Sequence, residues 1–85
     1  MKQNLELSVK IETLSEGGYL ALCSEIAGCH AEGSTIGQAL DNLRDVARVL
    51  YDLCQEKSLI FVTGHPEAKL TDVIWKVEIP LAEAA

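Results

Sequence analysis

Eighty-five residues allow one domain, spanning 1–85, and 48% of them are hydrophobic, more than one small two-layer core needs, which implies a self-association surface. Thirteen acidic against seven basic residues give a formal net charge of -6. That balance argues against a surface that neutralises nucleic-acid phosphates and suits a basic protein partner. Three cysteines in apolar contexts, Cys23, Cys29 and Cys54, read as buried thiols rather than a disulfide framework. Unbroken apolar runs of about five residues are far too short to span a bilayer. Met1-Lys2-Gln3-Asn4 leads straight into an alternating pattern with no signal peptide, so the expectation is a cytoplasmic protein.

Leu5, Leu7, Val9 and Ile11 alternate with Glu6, Ser8, Lys10 and Glu12, the period of two of a strand with one buried face. Ser15-Glu16-Gly17-Gly18 interrupts it with residues that accept positive φ and sets a hairpin. Tyr19-Leu20-Ala21-Leu22-Cys23 returns as a strand apolar on both sides. Glu25-Ile26-Ala27-Gly28 turns the chain into a short third strand, Cys29 to Glu32, closed by Gly33. Thr35 with Gln38 three positions on is a capping box. Ile36, Ala39, Leu40, Leu43, Val46, Ala47, Leu50, Leu53 and Cys54 then recur at spacings of three and four, which predicts a helix ending near Lys57.

Leu59-Ile60-Phe61-Val62 either extends this helix or forms a strand, and Gly64-His65-Pro66 interrupts it, so the conformation of 58–71 stays open. Val73, Trp75, Val77 and Ile79 mark a last strand that Pro80 ends, with Leu81 to Ala85 as a tail. The order βββαβ predicts an α+β two-layer sandwich with one long helix across one face of an antiparallel sheet. The uncovered face of Tyr19 to Cys23, together with Trp75, then needs another lid. Leu20, Leu22 and Trp75 are the expected oligomer interface.

No catalytic, cofactor or metal constellation emerges. Two-metal hydrolysis needs converging acids. Here the inward positions of the first strand are Leu5, Leu7, Val9 and Ile11, while Glu6 and Glu12 face solvent. Cys23, Cys29, His30, Cys54 and His65 lack the spacing of a zinc knuckle. Nothing basic besides His30 lies near Cys29 to activate a thiolate. The isolated glycines are followed by no Gly-Lys-Ser/Thr and read as turn residues.

Gly18-Tyr19, then Ser24-Glu25-Ile26-Ala27-Gly28-Cys29, then Gly33-Ser34-Thr35 with Ala39-Leu40 and Asn42-Leu43 resemble the HicB-like antitoxin family across residues 5 to 57. That family shows a Gly-Tyr hairpin, a Pro-Asp/Glu-Leu-Pro-Gly turn and a Gly-x-Thr helix start. The resemblance implies a partial RNase H-like fold without the catalytic carboxylates, dimers or tetramers of the chain, and a non-enzymatic protein that occludes a small basic RNA-cleaving toxin of the HicA type. Two departures stand out: Ser24 and Ala27 replace the turn prolines, and the chain stops at Ala85 with no C-terminal DNA-binding segment. Tyr19, Glu25, Ile26, His30 and Glu32 are the expected partner contacts. Two alternatives stay open: a metal-dependent nuclease on an RNase H-like scaffold, using Asp41 or Asp45, and a self-associating structural protein without a toxin partner.

Overall fold

The computed structural model describes residues 4–79, so the readings of Met1 to Gln3 and of the tail from Pro80 onward lie outside it. Strand β1 (Leu5–Thr13) is followed by β2 (Tyr19–Cys23), β3 (Cys29–Gly33), helix α1 (Ile36–Lys57) and, after a 3-10 turn at Leu70–Asp72, β4 (Val73–Glu78). This is the βββαβ order the pattern predicts, an α+β two-layer arrangement. The sheet order is β3-β2-β1-β4.

The expectation of an antiparallel sheet needs one correction. β1, β2 and β3 form an antiparallel meander, but β4 pairs parallel to β1, with Leu5 opposite Val73, Leu7 opposite Trp75 and Val9 opposite Val77. Two hairpins leave β3 pointing the same way as β1. α1 and the segment after it carry the chain back to the starting end, and a strand entered through a helical crossover runs parallel to those it joins. The sheet is therefore mixed.

The alternation in β1 buries Leu7, Val9 and Ile11 against the helix side and leaves Glu6, Ser8, Lys10 and Glu12 exposed. Ala21, Cys23 and Cys29 join them from the next two strands, and Ala39, Leu43 and Ala47 descend from α1. The small side chains let helix and sheet approach closely, and Gly33 is where they meet. A Cβ there would overlap the Ala39 backbone nitrogen and lie 2.8 Å from the Gln38 carbonyl carbon. Only glycine fits beneath this first helical turn.

Thr35 caps α1 as the sequence predicts, its hydroxyl accepting from the Gln38 N–H at 3.0 Å. The reciprocal half of the capping box lands one residue earlier: Gln38 Oε1 accepts from both the N–H and the hydroxyl of Ser34 at 2.6 Å. At the other end Ser58 adopts the left-handed conformation (φ 56°). The N–H of Ser58 bonds to the Gln55 carbonyl at 3.4 Å and that of Leu59 to the Cys54 carbonyl at 2.8 Å, the hydrogen-bond pair that closes a Schellman terminus.

Of the segment left open by sequence, residues 59–62 neither extend α1 nor form a strand. Phe61 and Val62 are buried, with Phe61 meeting Tyr51 edge to face at 5.0 Å. The segment lies against the β2–β3 turn at the starting end of β1, where the Thr63 N–H donates to the Glu25 carbonyl at 2.9 Å.

Candidate functional site

The residues singled out by sequence fall on two sides of the sheet. Tyr19 packs against the core on the helix side, and Ile26 is a core residue only 2% exposed. Ile26 is thus corrected from a partner contact to an interior anchor of the β2–β3 turn, because a side chain with no accessible surface offers nothing to a partner. Trp75 sits opposite Leu7 on the helix-side face and packs against the core. It does not share a surface with Leu20 and Leu22, a second correction to the expected grouping.

Glu25 has an internal task. β2 turns away after Cys23, which leaves the Ser8 N–H of β1 without a strand partner. Glu25 Oε1 accepts that N–H at 3.1 Å and the Cys23 thiol at 3.9 Å. Its carbonyl also holds Thr63. One residue therefore fastens the β2–β3 turn to β1 and to the segment after the helix. A carboxylate committed to these bonds is not a free contact.

The remaining four residues converge on the sheet face turned away from α1. Register places Glu32, Leu20 and Glu12 in one row across β3, β2 and β1, and His30, Leu22 and Lys10 in the next. Leu20 and Leu22 are partly exposed and lie outside the helix-side core, while Glu12, His30 and Glu32 are exposed. Among the described residues no element packs over this face. Residues expected at two separate sites, partner-binding and oligomeric, thus form one surface: two leucines side by side along β2, rimmed by Glu12 and Glu32, with Lys10 and His30 adjoining. β4 continues the same face with Ile74, 43% exposed, and with Lys76 and Glu78.

The chemistry of the other candidates follows from burial. Desolvation pushes the Cys23 thiol above its ordinary value, with the Glu25 carboxylate adding to the rise. Burial and then the neighbouring Cys23 lift Cys29 to about 11. Such thiols stay neutral, the reverse of an activated nucleophile. Asp41 and Asp45 stand exposed on α1, Asp41 paired with Arg44 at 3.3 Å. The inner positions of β1 opposite the helix are Leu7, Val9 and Ile11. No group of three or more His, Cys, Asp or Glu placed to hold a metal ion occurs among the described residues. An open groove lies between the start of β1 and residues 64–72, where His65, Glu67, Lys69 and Asp72 line it. Asp72 is already bonded there to the Lys69 N–H at 3.1 Å. No helix among the described residues is long and apolar enough to cross a membrane.

The chain is similar over about half its length to small UPF0150 proteins. It is 36% identical over 47 residues to UPF0150 protein ssl0738 of Synechocystis sp., covering 55% of this chain and 65% of that one. A second protein of the same organism, UPF0150 protein ssr1765, is 36% identical over 44 residues, covering 52% of this chain and 56% of that protein. The chain thus spans less than two thirds of the length of these relatives. No family model matches it, and no solved structure matches it significantly.

Proposed function

We propose that this protein is a non-enzymatic binding module of HicB type that docks, through the sheet face opposite α1, onto a small basic RNA-cleaving protein and occludes its cleaving surface. The observation that supports this reading is the uncovered face itself: Leu20 and Leu22 partly exposed along β2, with Glu12 and Glu32 flanking Leu20 and Lys10 and His30 flanking Leu22. A pair of leucines that burial would stabilise, with acids on both sides of Leu20, matches an apolar spot within a cationic surface. The acids speed encounter and fix orientation, while the leucines slow release. A formal charge of -6 adds long-range attraction to a basic partner. The likeness to UPF0150 proteins is compatible with the reading, since their names state no activity.

The experiment is an RNA-cleavage assay with a small basic RNA-cleaving protein of the HicA type, titrated with this protein. The reading expects cleavage to fall to background near equimolar ratio, with the two proteins co-eluting. Undiminished cleavage at large excess, without co-elution, removes it.

A further inference from the structure

The two edges of the sheet differ. β3 is short, lies under α1, and has its Glu32 carbonyl occupied by Asn42 Nδ2 at 2.8 Å. β4 is six residues long, and among the described residues no strand lies beyond it. Backbone direction identifies what it offers. The Ser8 N–H points to the β2 side, where Glu25 takes it, so Leu7, Val9 and Ile11 turn their backbone groups toward β4. In the parallel register of Leu7 with Trp75 and Val9 with Val77, those bonds use the backbone groups of Ile74, Lys76 and Glu78. The N–H and C=O groups of Trp75, Val77 and Ile79 therefore aim outward, and they have no partner among the described residues outside β4's own ladder. An open edge of this kind is a template for another strand.

We propose that β4 pairs antiparallel with β4 of a second copy of this chain, about a two-fold axis through Val77. The choice of occupant rests on charge and shape complementarity. In this register Val77 faces Val77 of the second copy, and Trp75 faces Ile79, which is otherwise 59% exposed. Both are hydrogen-bonded pairs built from the outward groups. On the opposite side of the sheet Lys76 faces Glu78 of the second copy, and Glu78 faces its Lys76. These are non-hydrogen-bonded pairs, where side chains come closest. Shifting the axis to Lys76 or to Glu78 sets like charges directly opposite. Shifting it to Trp75 sets Ile74 against Lys76 and leaves Ile79 unpaired. A strand whose opposite charges match only across a two-fold axis is self-complementary in the isologous sense. The like net charges of two chains oppose this at long range, but about 8 Å of screening length at physiological salt leaves the local pairs dominant. The product is one continuous eight-stranded sheet with both helices on the same side. This inference goes beyond the docking reading and does not rest on it, since its face of β1, β2 and β3 stays open in the dimer.

The test is a charge swap read by sedimentation equilibrium. The wild-type chain is expected at twice its 9.2 kDa mass. Lys76→Glu and Glu78→Lys each turn two attractive pairs into repulsive ones and weaken the dimer about tenfold or more, and the double variant K76E/E78K recovers it. Both side chains are exposed, so circular dichroism of the monomeric variants is expected to match the wild type. A wild-type chain of single mass, single reversals that leave the assembly intact, or a double swap that fails to recover it each overturns the proposal.

Discussion

Cys23 and Cys29 face one another across β2 and β3, both almost fully enclosed. Burial raises the Cys29 thiol from 9.0 to about 11, so folding is favoured while that thiol is neutral in both states. Above pH 9 the unfolded chain ionises first, and the advantage drains away as the pH climbs toward 11. The urea midpoint is expected to fall over that window by up to about 1.4 kcal/mol of stability per pH unit, and Cys29→Ala to show a shallower fall. Parallel profiles for the two proteins contradict it. Ser58 supplies a second prediction at this scale. It holds the left-handed position at the end of α1 with φ 56°, where glycine has no Cβ to strain. Ser58→Gly is expected to stabilise the fold by roughly 0.5–1 kcal/mol, measured by chemical denaturation, and a loss of stability counts against the capping geometry described.

Among the elements, periodicity made β1, α1 and β4 legible, because each alternates or repeats at the period of its own geometry, while β2 and β3 were legible from the turn residues that bound them. Thr35 and Lys57 bounded the helix correctly for the same local reason. Three things were not local. The direction of β4 depends on where the crossover delivers the chain, which no strand pattern encodes. The path of 58–71 is set by distant partners: Tyr51 for Phe61 and Glu25 for Thr63. The faces of Ile26 and Trp75 depend on a turn and a register, and so aromatic or apolar character alone placed them on the surface. At the candidate site, Leu20, Leu22, His30 and Glu32 were legible as residues but not as one surface, since only the β2–β3 pairing sets them side by side. Gly33 was legible as a strand end, yet its role is to admit α1. Gly33→Ala drives a methyl group into the Ala39 backbone and is expected to cost about 3 kcal/mol. Gly17→Ala, strained by φ 100° but meeting nothing within 4 Å, is expected to cost about 1 kcal/mol. Comparable thermal shifts for the two variants contradict a close helix–sheet contact at Gly33.

For the molecule as a whole, one helix covers one face of a four-stranded sheet, and the chain supplies no second cover among its described residues. The core is complete on the helix side, down to Leu7 and Val9 at 1% and 0% exposure, while Leu20 and Leu22 remain in contact with solvent. This face, with two leucines at its centre, acids beside Leu20 and Lys10 and His30 beside Leu22, is the proposed partner-binding surface. The open β4 edge is the proposed site of the second copy, so the two surfaces make separable demands on the same sheet. Titration calorimetry of a small basic RNA-cleaving protein into the wild-type chain and into Leu22→Arg tests the docking face most directly. The variant is expected to lose roughly a hundredfold in affinity, from a lost apolar contact and a cation set against a cationic partner. Equal affinity for the two proteins contradicts it.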